Sequence, residues 1–441
     1  MEWIEHYRSK LKNADEALRV LKSGDRVLIH QGCSQPDALI EAMIRRAGEV
    51  HDVEIIHLAT MGTADYTKPE YEGIFRHNAF FMGSNVRRAI QEGRGDYIPI
   101  FLSEIERLFR SGAMPIDVTL IQCTPPDEYG YMSLGAGVDI TLTAAKCARH
   151  VIVEVNDQAP RTLGDSFIHV SKVESFVEAS HPLSEYRKPE ITAIHRKIAD
   201  YVADLIPDGA TLQVGIGGIP DAVLQHLTSH KDLGLHTEMF SDGVIDLIKK
   251  GIINNERKTL HPRKVIAGFV LGTKPLFDFI HDNPIFEFHT TEYTNDPFVI
   301  AQNDRMVSIN SALEVDLTGQ VCADSIGHLP YSGVGGQVDF TRGAARSKGG
   351  LPIIALPSTA KQGKISRIVR TLKPNAGVVT SRADVHYVVT EFGVAYLHGK
   401  NLRQRAEALI QIAHPDFREE LLKWAQKLGY LKGGPPVVCG V

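Results

Sequence analysis

The sequence predicts an α/β protein made of two similar open lobes with its active site between them. Three observations carry that expectation. The halves contain an internal echo, short β-branched apolar runs alternate with helical periodicity, and a glycine turn recurs at the matching point of each half.

The echo runs from Gly24 to Leu39 and again from Gly209 to Leu224. Each stretch follows a short amphipathic helix. A glycine stop leads into an alternating apolar strand, then a glycine turn, then Pro-Asp-Ala opening a new helix. In the second copy Ile191, Ile194, Ile198, Val202 and Leu205 share a helical stripe that Pro207 and Gly209 end. Pro220 suits a first helical turn, where its missing N–H removes no hydrogen bond. The offset of about 185 residues implies a duplicated unit. The expected organisation is a first lobe over 1–187, a second over 188–431 and a tail over 432–441, with the boundary near Tyr186–Glu190.

Further strands are predicted at Val118–Gln122, Val151–Val155, Lys264–Val270, Leu351–Leu356 and Val385–Thr390. Two closing helices follow. One carries Leu402, Ala406, Leu409, Ile410 and Ala413; the other carries Phe417, Leu421, Leu422, Trp424 and Leu428. The stretch after Lys432 has no periodicity and reads as a frayed tail.

The whole chain fits this picture. Its 441 residues exceed one simple core, and 43% apolar with 23% charged residues is ordinary for a globular protein. A formal charge of −5 argues against general binding to nucleic acid or anionic membrane. Five scattered cysteines form no CxxC and no paired Cys/His spacing, so neither a disulfide framework nor structural zinc is expected. The N-terminus is charged from its second residue, without the apolar core of a signal peptide, and no apolar run has membrane-spanning length. The expectation is a cytoplasmic protein.

Two glycine loops stand out, Gly215-Ile-Gly217-Gly218-Ile-Pro220 and Gly333-Val-Gly335-Gly336-Gln337. The first, between strand and helix, directs backbone amides outward and suits a phosphate or a developing oxyanion; a plain tight turn is the alternative. Gly217 and Gly218 are the candidate oxyanion donors. A dinucleotide site would want a glycine where Pro220 stands, so a nicotinamide-dependent oxidoreductase is a distant reading. Carboxylates are the candidate catalytic groups. Glu238 and Glu391 both sit at predicted strand ends, and Glu292, Glu314 and Asp316 are further candidates. Position alone does not separate Glu238 from Glu391.

His30 and Gln31, in the first lobe's equivalent turn, are candidates to face a substrate acid, against plain turn packing. His169, on an apolar strand, reads as a satisfied core histidine. Lys361, Lys364, Arg367 and Arg370 form a basic run that suits either a phosphorylated ligand or a solvated face. Cys33 has no base placed near it by the sequence and is set aside as a nucleophile.

Several ordered segments resemble the acetyl-CoA hydrolase/transferase family. They are Asn156 to Ser171, His236-Thr237-Glu238-Met239 with Ser241-Asp242-Gly243, Glu314 to Gln320, Gly333 to Phe340, Pro357 to Lys361 and Val389 to Ala395. The resemblance covers nearly the whole chain up to about Lys432. Phe392 and His398 depart from it, since relatives often carry Tyr and Arg there.

The resemblance implies a class I CoA-transferase-like fold and selects Glu238 as the nucleophile. It places a CoA-binding loop on Val214, Gly215, Ile216, Gly217, Gly218 and Ile219. A second CoA contact falls on Gly335 and Gly336, and a backbone contact near Leu313; Lys361 joins these if the basic run meets the CoA phosphates. It further implies CoA transfer between an acyl-CoA and a short-chain carboxylate such as 4-hydroxybutyrate, butyrate or acetate, through a glutamyl-CoA thioester. An acetyl-CoA hydrolase using the same site is the alternative. Coenzyme A and acyl-CoA enter as substrates, with no permanently bound cofactor and no metal. A homodimer or homotetramer is the expected assembly.

Overall fold

The computed structural model describes residues 2–432 and contains two parallel sheets of the same design. The first is formed by β1 (Arg26–Ile29), β2 (Val53–His57), β3 (Phe75–Ala79), β4 (Gly95–Tyr97), β5 (Val118–Cys123), β6 (His150–Asn156) and β7 (Ser175–Ala179). Its spatial order is β4-β3-β2-β1-β5-β6-β7, with every pair parallel. The second is formed by β8 (Thr211–Gln213), β9 (Gly234–Phe240), β10 (Val265–Val270), β11 (Phe286–Phe288), β12 (Met306–Ser311), β13 (Leu351–Ala355), β14 (Tyr387–Thr390) and β15 (Gly393–Tyr396). Its order, β11-β10-β9-β8-β12-β13-β14, repeats that of the first sheet strand for strand, and β15 adds one antiparallel edge. The two-lobed α/β class expected from the sequence is the observed one. The calls on 433–441 lie outside the described residues.

Local chemistry explains the elements. All six residues of β5 and of β10 are buried, as parallel strands covered on both faces require. The stop glycines of the repeat, Gly24 and Gly209, both adopt left-handed backbone (φ +81° and +74°), which a side chain there would strain. The helices that bear on the site are α1 (Asp37–Arg45), α2 (Ile105–Ser111), α3 (Ala193–Leu205), α4 (Gly218–His226), α5 (Thr291–Thr294) and α6 (Gln337–Arg346); α7 (Leu402–Ile412) and α8 (Pro415–Lys427) close the chain. Thr192 opens α3 with a capping box, its hydroxyl accepting from the His195 N–H while His195 Nδ1 accepts from the Thr192 N–H. On α3 the buried stripe is Ile198, Ala199, Val202 and Ala203; Ile194, expected inside, is exposed. Among the described residues no helix is long and apolar enough to cross a membrane.

The lobes are joined by backbone as well as by side chains. Gly137 bridges Phe269 on β10, with Val138 N–H donating to Gly268 O (2.9 Å) and Val270 N–H to Ala136 O (2.8 Å). Gly164 bridges Phe288 on β11, where Asp165 N–H donates to Phe288 O and Phe288 N–H to Leu163 O, both at 2.8 Å. A single apolar cluster runs through both lobes, from Ile121 and Val153 to Leu212, Phe240 and Val270.

This joint makes a stability prediction. A Cβ on Gly164 would stand 2.5 Å from Phe288 O and 2.7 Å from Phe288 N. Gly164→Ala is expected to cost about 2 kcal/mol or more in urea unfolding, through a clash with paired backbone. Gly48→Ala, where the added carbon meets nothing within 4 Å, is expected to be neutral or slightly stabilising.

Candidate active site

Glu238 lies near the carboxyl end of β9, the end at which parallel α/β sheets open their crevices. The β9–β10 ladder pairs Thr237 with Ala267 and Met239 with Phe269 but skips the pair between them, Glu238 and Gly268. Gly268 O instead accepts the N–H groups of Val138 and Asp139 from the first lobe. The strand is therefore irregular at the one residue whose carboxylate enters the cleft, and the other lobe satisfies the freed carbonyl.

The carboxylate is tightly specified. Asn295 Nδ2 donates to Glu238 Oε2 at 2.8 Å, and the Gly336 N–H is directed at the same group. Asn295 is itself oriented by Thr294, whose hydroxyl donates to Asn295 Oδ1 at 2.8 Å. Burial pushes the Glu238 carboxyl up to about 7, the two donors pull it down, and the charge of Asp139 adds a small upward push. The residue is half-buried and lines the cleft, so the carboxylate is largely desolvated yet still reachable from it.

The cleft in front of Glu238 is a cavity of about 520 Å³ between the lobes. The second lobe supplies Val214, Gly215 and Ile216 from the first glycine loop and Gly333, Gly335 and Gly336 from the second. The first lobe supplies Gln31, Leu58, Thr60 and Met61. Both walls mix apolar and polar groups, with the glycine backbone of the second lobe facing Gln31, Thr60 and Met61 of the first.

The expected site residues have varied places. Gln31 lines the cavity and donates from Nε2 to Asp139 Oδ2 at 2.8 Å. His30 is corrected: it is fully buried, Nε2 donates to Gly137 O (2.7 Å), Nδ1 accepts from Gln122 N–H (3.2 Å), and burial lowers its pKa. With both nitrogens taken by backbone, it packs the turn and faces no substrate. Gly217 and Gly218 begin α4 and do not line the cavity. A Cβ on Gly218 would overlap the His195 ring, so that glycine permits α3 to pack on α4. Ile219 is buried on α4. Leu313 is half-buried beside the cleft, its N–H given to Cys322 O (2.8 Å).

The basic run divides. Lys361 is exposed at the tip of a small hairpin, in left-handed backbone, away from the cavity lining. Arg367 is half-buried with its pKa lowered by desolvation, whereas Arg370 stacks over Trp424 and pairs with Glu420 at 3.4 Å.

The competing carboxylates are committed elsewhere. Glu391 is buried and accepts the Ser358 N–H (2.8 Å) and hydroxyl (2.6 Å). Glu314 binds Lys373, Asp316 closes a turn through Thr318 and Gln320, and Glu292 pairs with Arg110. His169 is satisfied by Ser171 and Tyr129 O but is half-buried rather than in the core. The Cys33 thiol is buried and pushed up to about 12, which leaves it inert. Sequence reasoning missed Asn295, which stands 57 positions from its partner in a polar segment without a local motif.

Comparison with known proteins agrees with the geometry. The acetyl-CoA hydrolase/transferase N-terminal domain matches residues 1–184, and the C-terminal domain of that family matches 272–425. The chain is 52% identical to the 4-hydroxybutyrate coenzyme A transferase of Clostridium kluyveri over 97% of its own length and 100% of that protein's. It is 40% identical to the butyryl-CoA:acetate CoA-transferase of Anaerostipes caccae, covering 97% and 98%. A crystal structure of 4-hydroxybutyrate CoA-transferase from Porphyromonas gingivalis superposes with a TM-score of 0.83 at 44% identity, covering 96% of this chain and 98% of that one. The chain belongs to the acetyl-CoA hydrolase/transferase family, and it is an enzyme of the CoA-transferase class.

Two predictions follow from the carboxylate's surroundings. A Cβ on Gly336 would overlap both Glu238 Oε2 and Asn295 Nδ2, so Gly336→Ala is expected to lower turnover by about a hundredfold with little change in melting temperature. The raised Glu238 pKa also links to stability. Folded protein holds this proton up to about 7 while the unfolded chain releases it near 4.5, so the contribution is full below 4.5 and gone above 7. Glu238→Gln is therefore expected to melt above the parent at pH 8, with the gain vanishing at about pH 4.5 in calorimetry.

Proposed function

We propose that the enzyme moves CoA between an acyl-CoA and a short-chain carboxylate in two half-reactions, with Glu238 as the covalent carrier. The observation that supports this reading best is the single cleft-facing carboxylate held by two donors between glycine loops from one lobe and the wall of the other. The similarity to enzymes of 4-hydroxybutyrate and butyrate favours those acids and acetate as the exchanged carboxylates.

In the first half-reaction ionised Glu238 attacks the thioester carbonyl. The C–S bond breaks, giving a mixed anhydride and CoA thiolate. The thiolate then attacks the glutamyl carbonyl and expels the first carboxylate, leaving Glu238 as a CoA thioester. An incoming carboxylate reverses both steps. Dividing one exchange into reversible acyl transfers is the general advantage of covalent catalysis, and the thioester's free energy stays in the protein.

The glutamyl carbonyl passes through an oxyanion where Glu238 Oε2 now stands. Asn295 Nδ2 and the Gly336 N–H are the donors in place for it, in preference to Gly217 and Gly218. The Val214–Ile216 edge and Gly335 then line the path of the pantetheine arm, and apolar Leu58 and Met61 help keep water from the thioester.

Mass spectrometry after incubation with an acyl-CoA is expected to show CoA on the peptide containing Glu238 and none in Glu238→Ala. Label on the Glu391 peptide would overturn the assignment. Release of free CoA unchanged by added acetate would identify the hydrolase instead.

A further inference from the structure

The two donors that grip Glu238 come from separate places, Asn295 just after α5 and Gly336 just before α6. One short stretch of the first lobe, Leu102 to Arg110, is bonded to the foundations of both. Leu102 N–H donates to Gly335 O at 3.3 Å. Ser103 donates its N–H (3.1 Å) and hydroxyl (2.8 Å) to the carboxylate of Asp339 in the first turn of α6. On the other side Glu106 Oε1 accepts the Thr291 hydroxyl (2.8 Å) and the Glu292 N–H (3.2 Å), the groups that begin α5. Glu106 Oε2 accepts the Thr143 hydroxyl at 3.0 Å, and Arg110 reaches over to pair with Glu292.

We infer that Glu106 is a positioning residue: across the lobe joint it fixes the start of α5 so that Asn295 at its end meets the Glu238 carboxylate, while Ser103 does the same for the Gly336 amide through Asp339. The inference rests on Glu238 being the reacting group. Glu106 is fully buried, and a fully buried ionisable side chain is costly to keep where an apolar one would fill the same volume. Its acceptors are spent on the hydroxyl and amide that begin α5 and on the Thr143 hydroxyl of the first lobe, so it ties α5 to that lobe, while Ser103 holds α6. The helix α5 is only 4 residues long and α6 follows directly on Gly336, so contacts from outside bear on where each of them lies.

Electrostatics separates positioning from a charge effect. Glu292, Arg110 and Cys147 face Glu106, whereas Asp139 and Asp339 face Glu238. Removing a negative charge near Glu238 would lower its pKa; loosening the Asn295 donor raises it. The two explanations predict opposite signs.

The test is infrared titration of the Glu238 carboxylate, identified by difference against Glu238→Gln in each background, with no acyl-CoA present. In Glu106→Leu the midpoint is expected to rise by roughly half a unit or more, as loss of a hydrogen bond to the charged form dictates. Glu106→Gln, whose amide oxygen still accepts from Thr291 and Glu292, is expected to restore it. Thr291→Val removes one donor without touching a charge and is expected to raise the midpoint in the same direction, which covers the case of Glu106→Leu failing to fold. In turnover, Glu106→Leu is expected to lower kcat about tenfold or more with KM little changed, and to add little once Asn295→Ala is present. A midpoint unmoved or lowered in folded Glu106→Leu and Thr291→Val would overturn the inference and leave Glu106 as a latch between lobes. Because the titration needs no turnover, a raised midpoint upholds the positioning contact even if labelling places the nucleophile elsewhere.

Discussion

The structure turns on the balance at one carboxylate. Burial makes the charged form of Glu238 costly, and the hydrogen bond from Asn295 with the nearby Gly336 amide makes it available again. With burial alone the group would stay protonated and unreactive; with strong cationic partners it would be ionised but too stable to attack. No Lys or Arg among the described residues contributes to the Glu238 shift; neutral donors do. The glycine at 336, the skipped ladder pair at Glu238 and Gly268, and the seating of the first lobe on β10 all serve the space around this group.

The duplicated design makes the asymmetry of function plain. Register pairs Arg26 with Glu54 on the first sheet and Thr211 with Gly234 on the second, so counting four residues along each strand sets Leu58 opposite Glu238 in the equivalent position. Leu58 lines the same cavity. The second lobe's strand end carries the Glu238 carboxylate, and the equivalent place in the first lobe carries an apolar side chain. The corresponding glycine turns diverge similarly: Gly215 and Ile216 border the cleft with backbone, whereas the first lobe offers the Gln31 amide.

Much of the fold was legible because it depends on local pattern. The buried strands at 118–123 and 265–270 are continuous apolar runs, the stop glycines take the conformation only glycine accepts readily, and the repeat announced two lobes of one design. The site was legible only in part. Glu238 and Glu391 both end strands, and what separates them is Ser358, whose amide and hydroxyl occupy Glu391 through a contact 33 positions away. In sequence His30 stands between facing a substrate acid and packing the turn, and what decides for packing is a pair of backbone groups, Gly137 O and Gln122 N–H, that only the folded chain brings near. Asn295 left no trace in periodicity or spacing, since its meaning is a distance to another segment.

The backbone joint between the halves bears on how the site admits its reactants. Rotating one lobe away from the other would break the bonds at Gly268, Val270 and Phe288 and bring the common apolar cluster into water. Parting the halves therefore costs both backbone hydrogen bonds and exposed apolar surface. Local movement of loops and side chains at the rim is the less costly way to open the cleft in front of Glu238, since it leaves that shared backbone seam intact.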